Sequence, residues 1–132
     1  MDSNYYIRFD EIYMPPADVI RAGQKWIKIM NVSLGSSLFA GAIGQSYVVN
    51  DKSLHITREM SAGSVRFARL ASEGLHIDNV LIEATRRAGN VEVVTMHIAL
   101  EDVIVMAYQP VSSTRVGISL ERISLQYGLF VG

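Results

Sequence analysis

Residues 91–108 read VEVVTMHIALEDVIVMAY. Val94, Met96, Ile98 and Leu100 share one parity, and Val91, Val93 and Ala99 share the other. Successive side chains of a strand point to opposite faces, so this segment is apolar on both. Its β-branched residues suit a pleated ladder. A strand apolar on both faces has to be covered on both. Glu101-Asp102 interrupts the run and predicts a tight break between two strands, over 91–100 and 103–108.

Upstream, Ala88-Gly89-Asn90 is a hairpin signal that joins this segment to a strand over 80–86. Before it the period changes. Gly63, Phe67, Leu70 and Ala71 fall on one stripe at helical spacing. Ser61 or Ser64 can accept the free N–H groups at its start, and Gly74 supplies a left-handed end. The sole helix is therefore expected within 60–74. Residues 52–59 alternate again, with Leu54 and Ile56 on one face. Nearer the N-terminus, strands are expected over 5–9 and 25–33. Between them Pro15-Pro16 forbids a continuing ladder and implies an extended loop over 13–24. Three glycines and two serines over 35–45 read as an Ω-like loop.

Downstream, Val116, Ile118 and Leu120 share one parity, while Ile123, Leu125 and Tyr127 share the other. One inserted residue produces such a switch, which predicts a β-bulge at Glu121-Arg122. The expected fold is mainly β: a small barrel or sandwich with one flanking helix, in a single domain over residues 1–132.

Twelve basic against thirteen acidic residues give a net charge of -1, without the basic excess that nucleic-acid binding requires. Only 19% of the residues are charged while 49% are hydrophobic, a balance that favours self-association over a free monomer. No apolar run reaches the ~20 residues needed to span a bilayer. Met1-Asp2-Ser3-Asn4 has neither a basic nor an apolar leader, so no Sec signal is expected and export would have to act on the folded protein.

With no cysteine, disulfides, thiol catalysis and thiolate metal sites are excluded. The glycines at 35, 41 and 44 lack a following Lys-Ser/Thr, and neither a Gly-x-Ser-x-Gly elbow nor a His-Glu-x-x-His pair occurs. His55, His76 and His97 fall in separate strands or strand edges and read as ordinary strand or rim residues. Asp51, Glu59, Glu73 and Asp78 flank turns and helix ends, where carboxylates serve solvation. Trp26 and the six tyrosines lack basic interleaving and read as packing residues. No catalytic, cofactor or metal site is expected, and no enzyme.

The order of local words over 52–127 is the informative pattern. Gly74-Leu75-His76 closes the helix, and Arg87-Ala88-Gly89 forms a hairpin. Ile98-Ala99-Leu100-Glu101-Asp102-Val103-Ile104-Val105 frames a charged break, and Leu125-Gln126-Tyr127 ends a strand. Joined in this order they resemble the Hcp family, the ring proteins of bacterial type VI secretion. Residues 26–35, WIKIMNVSLG, match it more loosely.

The resemblance implies a barrel that assembles into hexameric rings, stacked as a hollow tube that can carry effector cargo. It implies the spike protein and the sheath of the secretion machine as partners, and a protein made in the bacterial cytoplasm and secreted without a signal peptide. By alignment Ser33 falls at a lumen-facing position, and Asn31 shares its parity. The extended loop over 13–24 corresponds to the family's ring-to-ring contact. Val103 and Val105, on the doubly apolar segment, are the candidate ring-contact residues. The stretch 109–115 lacks the family's glycine-rich extension, and the chain stops sooner after its last strand than family members do, so rings are a firmer expectation than stacked tubes. An Hcp-like ring acting as an effector-binding chaperone is the runner-up; a phage tail-tube-like subunit is a further alternative, with a small hydrolase last.

Overall fold

The computed structural model describes residues 3–10, 13–34, 52–111 and 117–131. In chain order these form β1 (Asn4–Phe9), β2 (Val19–Arg21), β3 (Gln24–Ile29), β4 (Asn31–Leu34), β5 (Ser53–Glu59), α1 (Ser64–Glu73), β6 (His76–Ala88), β7 (Val91–Val111) and β8 (Leu120–Val131). The strands make one eight-stranded antiparallel sheet in the order β2-β3-β1-β6-β7-β8-β5-β4. The ladder is open, yet only Met30 separates β3, near one edge, from β4, at the other. Consecutive Cα atoms are about 3.8 Å apart, so the sheet must curl until its two ends approach. The Met30 N–H donates to the Thr57 carbonyl at 2.7 Å and extends the β4 ladder across this corner.

The curl encloses the core. Ile7 and Phe9 of β1, Ile27 and Ile29 of β3, Leu54 and Ile56 of β5, Val80 and Ile82 of β6, and Ile123 and Leu125 of β8 all point inward and are buried. Each such side chain contributes about 1.5–3 kcal/mol on burial. The expected helix is present as α1. It seals the core with Phe67, whose ring meets Phe9 edge-on at 5.7 Å, and with Leu70. Gly74 ends it at φ 63°, a conformation that would strain any residue with a Cβ. Its start is different from the serine cap expected. Gly63 is the N-cap, with no side-chain bond; both serines nonetheless accept backbone N–H groups as expected, Ser61 Oγ from Gly63 and Ser64 Oγ from Ser61, and Ser61 Oγ also accepts from Arg58.

Several boundaries moved for identifiable reasons. The strand expected over 25–33 divides at Met30, because its halves pair with β1 and β5 at opposite ends of the sheet. The expected loop over 13–24 contains β2, whose residues pair back onto β3 across Ala22-Gly23, both at positive φ. The loop expected over 35–45 lies outside the described residues.

The predicted break at Glu101-Asp102 is no turn. β7 runs through it, with Asp102 at φ 54° and bonded to His76 Nδ1 at 2.6 Å. Inward positions change parity there on both strands, from Val80 to Ile77 on β6 and from Leu100 to Val103 on β7, so the pairing survives. Gly128 lies beside this point, where an added Cβ would sit 3.1 Å from the Asp102 Cβ.

The bulge expected at Glu121-Arg122 is also corrected. Against β5 the register of β8 is unbroken from Leu120 to Gln126. The shift lies across the ladder, between Val105 and Ala107 of β7. Glu121 keeps the inward parity of Ile123 and Leu125, and so looked like an outward residue only because it is charged.

Candidate functional site: a polar wall and a buried ion pair

Residues facing each other across antiparallel strands share a face. Asn31 pairs with Thr57, which pairs with Arg122, which pairs with Gln109; Ser33 pairs with His55, then Ser124, then Ala107. Leu54, Ile56, Ile123 and Leu125 fill the inward positions between them. These eight residues therefore form two rows on the outside of β4-β5-β8-β7, seven of them polar and mostly short. Asn31 and Ser33 are exposed, and His55 Nδ1 lies 2.7 Å from Ser124 Oγ. Arg122 is the one fixed charge in the rows. Alignment alone had singled out Asn31 and Ser33; the pairing shows the polar surface to which they belong.

Val103 and Val105 sit elsewhere. They are 0% and 1% exposed in the core of the isolated subunit, so they leave no surface for a neighbour, and their assignment as ring contacts is corrected. Aliphatic alternation marks a buried face without saying what buries it. Here the subunit's own helix and sheet do so.

Opposite each other on β5 and β8, Arg58 and Glu121 point into the core with 2% and 0% of their side chains exposed. Arg58 Nη1 donates to Glu121 Oε2 at 2.5 Å, and Nη2 to Ser61 Oγ at 2.7 Å. The guanidinium also lies 5.1 Å above the Phe67 ring and 3.7 Å from Asp18 Oδ2. Asp18 accepts in turn from the Lys28 N–H at 3.1 Å, and the Tyr108 hydroxyl donates to Glu121 Oε1 at 2.6 Å. One ion pair thus ties β5, β7 and β8 to the first turn of α1 and to the 13–18 loop. Sequence reasoning missed it. A signal existed, since both charges occupy otherwise apolar parity rows, Leu54-Ile56-Arg58 and Glu121-Ile123-Leu125.

Burial, then the hydrogen bond to Glu121, raises the pKa of Tyr108 above its ordinary 10.0. A raised folded-state value gives stability that is complete below the unfolded pKa and is lost as pH rises through the folded one. Unfolding followed from pH 8 to 12 should therefore show stability declining only above about pH 10. A Tyr108→Phe variant should show a smaller decline.

On the other half of the sheet, Arg21 lies 4.3 Å above the Tyr6 ring and 4.8 Å from that of Trp26, burying both. It bonds Glu83 at 3.1 Å and approaches Glu92 at 3.6 Å. These aromatics are packing residues under a stacked guanidinium, as their scattered placement suggested. His97 bonds Glu83 and His76 bonds Asp102, so each of these histidines has its own partner. Among the described residues no three metal-ligating side chains converge, and no helix is long and apolar enough to cross a membrane.

Comparison with known proteins gives the class. The family described as "Type VI secretion system effector, Hcp" matches residues 18–130. This chain belongs to the Hcp family of type VI secretion proteins. Solved structures agree in fold. Hcp1 from Salmonella typhimurium superposes with a TM-score of 0.71 at 19% identity, over 96% of this chain and 82% of that one. A structure described as a type six secretion system protein gives 0.71 at 18%, over 99% and 93%. The secreted protein Hcp3 from Pseudomonas aeruginosa gives 0.65 at 14%, over 95% and 84%. A search of curated proteins returns no match.

Proposed function

We propose that this protein, folding as one domain, is the structural tube subunit of a type VI secretion apparatus and acts without catalysis. Six copies close into a ring, rings stack into a hollow tube, and the tube leaves the bacterial cytoplasm folded. The two polar rows on β4-β5-β8-β7 carry this reading. A wall of short polar side chains suits a water-filled bore through which a folded cargo must pass without sticking. In this reading Asn31 and Ser33 face the lumen, effector proteins contact the wall, and the spike protein and sheath are the other partners.

Light scattering on the purified chain tests the ring, and negative-stain imaging tests the stack. The expected result is a mass near six subunits, with hollow rings in projection. Rings that never stack at high concentration would favour the effector-binding chaperone. Ser33→Asp should leave the ring mass unchanged, because the side chain is exposed to solvent, while capture of an effector bound by the wild-type ring falls severalfold. Loss of the ring in this variant would remove Ser33 from the lumen wall.

A further inference from the structure

The polar rows on the outside of β4-β5-β8-β7 hold one fixed charge, Arg122. It stands on β8 between Thr57 of β5 and Gln109 of β7, neither of which can balance it. The guanidiniums of Arg21 and Arg58 are held by carboxylates. That of Arg122 has neither an ion pair nor a hydrogen bond among the described residues. Glu59, opposite Leu120 on the next row of the same face, is exposed and does not pair with it. Arg122 is itself half-buried, while Asn31 and Gln109 at the two ends of its row are exposed.

A guanidinium carries five N–H donors in a planar fork that matches a carboxylate. Partial burial restricts its side chain beforehand, so less rotamer freedom is lost when a carboxylate arrives. Around it, the Thr57 and Ser124 hydroxyls and the Gln109 amide offer hydrogen bonds without a competing charge. A neutral or basic segment leaves the guanidinium unmatched or repels it, and an acidic one completes it. We propose that Arg122 determines the specificity of this face, and that the face takes protein segments rich in aspartate and glutamate. The inference rests on the lumen reading and names the chemistry of the cargo. In a ring of six copies the charge recurs on every subunit, so one acidic segment meets several guanidiniums and individually weak contacts combine. The chain's net charge of -1 argues against a nucleic-acid phosphate backbone as the anion.

Fluorescence anisotropy with labelled peptides tests this. The probes are a peptide of alternating glutamate and serine and its counterparts with lysine or glutamine in place of glutamate. The acidic peptide should bind most tightly. Arg122→Gln should weaken it about fivefold or more, fivefold being the upper end for one exposed ion pair, and should leave the glutamine peptide unchanged. Arg122→Lys should restore most of the affinity, which separates charge from fold. Glu59→Gln should strengthen acidic binding, since it removes the like charge on the next row. Wild-type protein supplies a check that needs no variant: binding should fall sharply between 0.15 and 1 M salt, as the screening length shrinks from about 8 to about 3 Å.

Equal affinity for the acidic and glutamine peptides, or an Arg122→Gln variant that binds as wild type, would overturn the proposal. So would tighter binding of a single-stranded oligonucleotide than of the acidic peptide. Light scattering on the same samples separates this inference from the ring reading. A monomeric wild type that still selects the acidic peptide through Arg122 sinks the ring and keeps the surface, because both rows lie within one subunit. Rings that bind all three peptides alike sink only the charge specificity.

Discussion

Glu121→Ala is expected to cost about 3–5 kcal/mol of folding stability, because it leaves the buried Arg58 guanidinium with only the more distant, part-exposed Asp18 carboxylate. The pair is almost fully enclosed, so water cannot replace the lost carboxylate. The Tyr108 hydroxyl loses its acceptor as well, and Arg58 Nε already has no hydrogen-bond partner among the described residues. Set against the 5–15 kcal/mol typical of a whole domain, such a loss should be plain in a urea titration. The titration belongs in dilute protein, so that any assembly does not add to the apparent stability.

The companion variant Arg58→Met/Glu121→Leu removes both charges while roughly keeping volume, and it should recover most of the loss. A single variant costing less than about 1 kcal/mol would mean that the pair is solvated, as surface pairs are. The double variant also bears on the loop. Asp18 lies 3.7 Å from Arg58, so removing Arg58 should loosen residues 13–18 even where stability is restored. Faster exchange of the Asp18 amide, which donates to the Trp26 carbonyl, would report it.

The strands and the helix were legible because most residues obey one period at a time. Leu54 and Ile56 announced β5, and Phe67 with Leu70 announced α1, since each row meets a single core. The departures arose where two physical demands met at one residue. At Met30 a locally continuous apolar stretch had to serve two distant strands, and periodicity carries no trace of a corner. At Asp102 a side chain that tolerates positive φ let the strand reverse its faces without ending. At Glu121 a charge in an inward row resembled a shift of register, because parity reasoning assumes that inward means apolar.

The functional surface was legible in part. Asn31 and Ser33 came from family likeness alone, and their polar neighbours His55, Thr57, Arg122 and Ser124 became a set only through cross-strand pairing. The misplacement of Val103 and Val105 has a similar origin. A doubly apolar sequence shows how much must be covered, but only the fold tells which part the subunit covers itself. In β7 that division falls along the strand. Ile98, Leu100, Val103 and Val105 meet the core, and Val91, Val93 and Val94 do not.

The same substitution at two places on β7 should therefore give opposite results. Val105→Asp puts a carboxylate where Val105 is 1% exposed. Burial this complete raises a carboxyl's pKa by about 3–5 units and so keeps it neutral. Neutral pH lies about 3 units above the unfolded pKa, so at 1.36 kcal/mol per unit the penalty there is about 4 kcal/mol. The lost aliphatic contacts add a further ~1 kcal/mol or more. The total rivals the stability of an ordinary domain, so the chain should be unfolded or insoluble rather than a folded monomer. Circular dichroism should show loss of the β signal, with partial recovery toward pH 5, where the carboxyl protonates more easily. Val93→Asp lies in the exposed part of the strand. There a charge meets water, and the fold should persist with stability changed by no more than about 0.5 kcal/mol. A folded, soluble Val105→Asp monomer would mean that the inward face of β7 is not the subunit's own core.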